Sequence, residues 1–185
     1  MWMLVIGLLL WAIVHFLPSL MRPTRQQLVD KIGIKSYRMI FAGIVLSALA
    51  LIINGWKQAV PEYYYVLAPE YRLIALLLMY FSLYLIAVSI VPGRIKNILR
   101  HPQLAGVVVW SCAHLLVNGD SRSVVLFGGL GIWAVIETLL LSRRDGVYEH
   151  LVPTLAQELK PLIIAGVLFV ALLYSHHWLA GVKII

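Results

Sequence analysis

The chain carries a single cysteine, Cys112, and it lies inside an apolar run. That excludes an intrachain disulfide and any cysteine cluster able to hold zinc or an iron–sulfur centre. Charge is scarce as well: Asp, Glu, Lys and Arg make up 12% of the 185 residues, where a soluble domain carries about 25%. No stretch alternates apolar and polar residues as a half-buried strand does, and no low-complexity tract or linker divides the chain. It reads as one domain. Also missing are a basic segment ahead of the first apolar run, an A-x-A-like site at its end, and an Arg- and Ser-rich transit segment. These absences predict a retained first span and a bacterial inner membrane.

What fills the sequence instead is apolar: 62% hydrophobic residues and a mean hydropathy of +0.90. One water-facing core cannot hide that much apolar surface, so lipid is the solvent for most of the chain. A span needs about 20 mostly apolar residues. Six runs qualify, at 2–20, 36–53, 73–91, 102–117, 123–141 and 161–179. The expected fold is therefore all-α, a polytopic bundle of six transmembrane helices. The fourth run is short, but Pro102 suits a first helical turn, and Asn118-Gly119-Asp120 reads as a turn into the fifth.

The net charge of +7 does not indicate nucleic acid, because the basic residues cluster just outside the apolar runs. Arg22, Arg25, Lys31, Lys35 and Arg38 lie between spans one and two, Arg94, Lys96 and Arg100 between three and four, and Arg143, Arg144 and Lys160 between five and six. The opposite side has only Lys57, Arg72, Arg122 and Lys183. The positive-inside rule puts the first set in the cytoplasm and both termini outside, in the periplasm. Trp2, Trp56, Tyr63, Tyr64, Tyr65 and Trp178 then form an aromatic belt at the outer interface.

Ionisable groups at membrane depth are costly, about 2.5–3.5 kcal/mol on insertion scales, and are functional candidates by default. His15, His114 and Glu137 meet that description. Each imidazole has a bland role open to it, an interhelical hydrogen bond, but the pair says more. Thirteen residues carry His15 about 20 Å inward along span one, and twelve carry His114 about 18 Å outward along span four, so their expected depths nearly match. Trp11 and Trp110 each stand four residues earlier, on the same helical face. Two imidazoles across an aromatic-walled slot suit the two axial positions of a haem.

Glu137, one turn from the end of span five, reads more simply as a snorkelling or Arg-paired carboxylate beside Arg143 and Arg144. His176 and His177 lie at the outer interface, where solvation explains them, a peripheral metal site being the alternative. His150 lies in a charged loop. Gly128, Gly129 and Gly131 suit close helix packing. At the mouth of span four, Arg100-His101-Pro102-Gln103-Leu104-Ala105-Gly106 joins a cation, an imidazole and open helix N–H groups. That is either a basic flank or an anion site for a carboxylate or phosphate.

These residues carry a resemblance. His15, Pro18, Arg22, Leu28, Gly33 and Tyr37-Arg38, then Arg100-His101-Pro102-Gln103 through Trp110, Ala113-His114 and Asn118-Gly119-Asp120, resemble the NnrU family of bacterial membrane proteins along nearly the whole chain. The resemblance implies a link to denitrification and nitric oxide metabolism. The same core is similar to the 15-cis-zeta-carotene isomerases, which implies haem b as cofactor with His15 and His114 as axial ligands. Those isomerases have a cysteine three residues before the later ligand, proposed to replace a histidine on redox change. Here that position is Ser111, and Cys112 is one place off.

Three functions follow from these features. The first is a membrane haem b protein with redox or isomerase-like chemistry, taking an apolar small molecule if it is an enzyme. The second is a membrane methyltransferase of the isoprenylcysteine type, which the Arg-His-Pro motif resembles. It would hold S-adenosylmethionine at Arg100 and His101, with Arg143, Arg144 and Glu149 as a second motif. The third is a non-enzymatic assembly factor for a respiratory reductase. For topology, a reporter fused after Ile185 should be active only in its extracytoplasmic form. A cytoplasmic-only signal overturns the orientation.

Overall fold

A computed structural model describes residues 1–91, 93–145, 152–182 and 184. Among them six α-helices make the fold: α1 Trp2–Leu20, α2 Arg22–Gln58, α3 Tyr71–Ile90, α4 Pro102–Leu115, α5 Ser121–Arg144 and α6 Leu155–Ala180, with a 3-10 turn at Arg94–Asn97. The all-α expectation holds. Among the described residues the one β feature is an isolated bridge between Tyr63 and Asp120. Glu149, His150 and Lys183 lie outside the described residues.

Five helices, all but α4, are long and apolar enough to cross a membrane. With 14 residues, α4 is about 21 Å long against ~30 Å of hydrocarbon. The fourth expected span is thus a shorter helix, ending at Leu115 rather than Val117. Pro102 fixes its start. At its end the His114 carbonyl accepts from Val117 N at 3.1 Å and Asn118 N at 2.8 Å, and from Asn118 Nδ2 at 2.9 Å. The chain curls over there instead of continuing.

The second helix is longer than the expected apolar run because the charged stretch from Arg22 onward is helical too. Gly33, at φ 81°, breaks the two parts. A Cβ there would meet nothing, so the left-handed backbone alone calls for glycine. The sixth helix starts six residues before Pro161, nucleated by a capping box between Thr154 and Gln157.

The helices pack in the order α2–α1–α5–α4–α3–α6. Small residues set the close approaches, as expected where lipid supplies no hydrophobic drive between helices. A Cβ on Gly55 would lie 2.3 Å from Leu4 N, and one on Gly7 would lie 2.8 Å from Ile52 N. Gly106 of α4 meets α3, where Ser82 Oγ donates to the Gly106 carbonyl at 2.8 Å. On α5, a Cβ at Gly129 would touch Leu8 of α1 at 3.1 Å and one at Gly131 would touch Ser111 of α4 at 3.1 Å. Gly128 departs from the packing expectation: nothing lies within 4 Å of its Cβ position.

These clearances set opposite signs for one chemical change. Gly55→Ala should destabilise the protein by about 1–3 kcal/mol through overpacking. Gly166→Ala, whose Cβ meets nothing within 4 Å, should be neutral or stabilising. Thermal unfolding in detergent measures both. Equal midpoints would contradict the α1–α2 contact.

Candidate functional site

The Trp-x-x-x-His pattern is realised twice, once on α1 and once on α4. His15 Nδ1 lies 2.7 Å from the Trp11 carbonyl, and His114 Nδ1 lies 2.9 Å from the Trp110 carbonyl. A carbonyl only accepts, so each Nδ1 carries the proton and each Nε2 keeps its lone pair. The tryptophans also pack on the imidazoles, with ring centroids 4.5 Å apart for Trp11–His15 and 4.8 Å for Trp110–His114. Both rings are therefore oriented as metal-ligating histidines are.

The surroundings then diverge. α5 has two opposed stripes of residues spaced by four. Gly129, Trp133 and Glu137 face α1, through Leu8, Trp11 and Ser19. Phe127 and Gly131 face α4, through Trp110 and Ser111. His15 rests against Trp133 at 5.1 Å and against Phe41 of α2 at 5.5 Å. His114 stacks on Phe127 at 4.3 Å. Phe127 and Trp133 are six residues apart, about 9 Å along α5 and on different faces. No ring contact joins His15 to His114 among the described residues. The two imidazoles expected to face one another instead lie against different turns of α5, His15 at Trp133 and His114 at Phe127.

The imidazole that His114 does face is His176 of α6, at 6.5 Å between centroids and 23° between planes. His176 Nδ1 lies 3.0 Å from the Val182 carbonyl, so its Nε2 is also left open. Both histidines line a cavity of about 340 Å³ between α3, α4 and α6. Its other walls are mainly apolar, among them Met79, Leu83, Phe169 and Leu173, with Arg72 and Asn118 as further polar lining. Sequence reasoning assigned His176 to the interface. The combination that could have found it is two histidines at the same ends of spans four and six.

Arg100 and His101 belong elsewhere. They precede α4, thirteen residues or about 20 Å from His114. Arg100 Nη1 donates to the Ser142 carbonyl at 3.2 Å. His101 Nε2 is buried without a partner. Burial, helped by Arg100 and Arg144, lowers the His101 pKa, although Asp145 and Glu137 pull it upward. The ring is neutral at neutral pH.

Glu137 is 6% exposed. It is not Arg-paired as expected: Ser19 Oγ donates to its Oε1, its Oε2 has no partner, and Arg144 pairs with Asp145 at 2.5 Å. The reason is position. Glu137 lies on the α1-facing stripe, whereas the arginines follow in the last turn of α5.

Among the described residues no three His, Cys, Asp or Glu side chains gather to hold a metal ion. A porphyrin supplies four ligands itself and asks the protein for one or two axial groups, which is the number of imidazoles the cavity offers. The donor set therefore fits a haem better than a bare ion.

The family model described as NnrU protein matches residues 3–184. No curated protein matches the chain, and no solved structure does.

The buried carboxyl sets a test of the α1–α5 interface. Ser19→Ala strips Glu137 of its donor and should cost about 1–3 kcal/mol. The double variant Ser19→Ala/Glu137→Leu should recover much of that loss. Thermal midpoints in detergent measure the cycle, and additive losses would show that the two residues do not interact.

Proposed function

The chain belongs to the NnrU family, and on that premise we propose that it is a membrane haem b-binding protein, with His114 as an axial ligand and redox chemistry at the iron. The observation that carries the reading is the paired imidazole cavity. His114 and His176 face each other at 6.5 Å in an apolar pocket whose volume lies at the small end of ligand sites. His176, rather than His15, is the second imidazole on this geometry, while the isomerase resemblance favours His15.

The chain's own residues do the following. The Trp110 and Val182 carbonyls hold the Nδ1 protons, so both Nε2 lone pairs are available as ligands. Phe127 stacks on His114 and restrains its ring. The mainly apolar walls lower the local dielectric and strengthen electrostatic interactions at the site. Arg72, which also donates to the Ile184 carbonyl, is the lining guanidinium suited to a propionate, whereas Arg100 and His101, the anion site expected from sequence, stand at the far end of α4. A haem held by His114 and His176 would supply one-electron redox chemistry at this cavity. Ser111, in place of the cysteine of the isomerases, argues against ligand switching and carotenoid isomerisation. The tie to denitrification and nitric oxide comes from the family resemblance.

The absorption spectrum of the detergent-purified protein, expressed with haem supplied, tests the reading. We expect a six-coordinate low-spin haem b spectrum that His114→Ala abolishes and His176→Ala converts to a five-coordinate one. His15→Ala should leave it unchanged. Loss in His15→Ala with retention in His176→Ala would restore the pair suggested by resemblance. A wild-type protein that never holds haem would remove the proposal, leaving the methyltransferase, tested by calorimetry with S-adenosylmethionine, or the assembly factor.

A further inference from the structure

A second concavity lies on the α1-facing side of α5, at the opposite end of that helix from His114. The last turn of α1, the first turns of α2 and the end of α5 border an open cleft of about 610 Å³, lined by Pro18, Arg22, Pro23, Arg25, Gln26 and Arg144. Three arginines therefore line one cleft. Like charges brought together repel, and something must offset them.

The described residues supply little of that offset. Asp145 is the one carboxylate paired with these arginines among the described residues, and it is held mainly by Arg144, at 2.5 Å, with Arg22 at 4.0 Å. Arg25 lies over the Tyr37 ring, 5.4 Å from its centroid, which orients the guanidinium without neutralising it. Gln26, the remaining polar wall, donates to Asp30. The first turn of α2 adds positive potential: its N-cap, Met21, has no side chain to satisfy the open N–H groups.

The position of the cleft narrows its ligand. It sits where α1 ends and where α5 ends, both helices that are long and apolar enough to cross a membrane, so it lies at a boundary of the hydrocarbon. Leu20 and Met21, 62% and 51% exposed, stand beside it as apolar surface. An anion presented there with acyl chains alongside satisfies the arginines and covers these side chains together. Guanidinium forks match phosphate oxygens in pairs. We propose that this cleft binds a phosphate group, presented by the headgroup of an anionic phospholipid.

The site is independent of the haem reading, since it shares no residue with the His114 cavity. The protein is placed in nanodiscs of phosphatidylcholine mixed with a minority of phosphatidylglycerol, and native mass spectrometry counts the lipids retained. Wild type should keep phosphatidylglycerol over phosphatidylcholine. Each of Arg22→Gln, Arg25→Gln and Arg144→Gln should reduce that preference about fivefold, whereas Arg143→Gln, outside the cleft, should not. In pure phosphatidylcholine discs, inorganic phosphate is added and the thermal midpoint followed. A rise at millimolar phosphate, lost in Arg25→Gln, assigns the site to free phosphate and overturns the lipid source. If wild type shows neither a lipid preference nor a phosphate-dependent midpoint, that result overturns the site itself. So does a preference equally strong in all four variants, and the single substitutions keep the test valid if a combined variant fails to fold.

Discussion

At the turn between α4 and α5, a Cβ on Gly119 would sit 2.0 Å from the Tyr65 carbonyl oxygen. Only glycine lets the backbone pass there. The approach is held by Tyr64 N donating to the Gly119 carbonyl at 2.8 Å, and by Ser121 N donating to the Glu62 carbonyl at 2.7 Å. Tyr65 reaches across with its hydroxyl to the Leu115 carbonyl at 2.6 Å. One crossing thus fixes the end of α4, the start of α5 and the segment between α2 and α3. The rest of the site depends on it. Asp120 caps α5, accepting from Ser123 N at 3.2 Å, and with that register set, Phe127 arrives against His114.

From this fixed start α5 runs as a partition. Its two stripes of four-residue spacing give α1 and α4 separate faces, so the two Trp-x-x-x-His pairs end in different compartments. One is a packed aromatic cluster of Trp11, His15, Phe41 and Trp133. The other opens on the cavity shared with His176. The same local motif therefore packs among aromatic rings in one place and lines a cavity in the other. Neighbouring helices make the difference.

Much of this was legible in the residues. Apolar run length gave the number and approximate limits of the helices, and the spacing of Trp110 and His114 gave their shared face. The turn at Asn118-Gly119-Asp120 was visible as turn chemistry. What the sequence could not convey was which helix lies beside which. Run length put the end of the fourth span at Val117, whereas α4 stops after 14 residues, where the His114 carbonyl draws in three donors. The pairing of Glu137 with Ser19 spans 118 residues and depends on α1 docking against α5. His176 joins the cavity only because α6 packs on α3 and the Val182 carbonyl turns its ring.

The three donors on the His114 carbonyl have a further consequence. With Val117 N, Asn118 N and Asn118 Nδ2 all bound to that one oxygen, and with Nδ1 tied to the Trp110 carbonyl, both the main chain and the ring of this residue are held at their polar atoms. A charge that appears or disappears in the cavity then finds dipoles that are already aimed and need not rotate. The site resembles a stiff solvent: its response to a change of charge is small because it was built in when the chain folded.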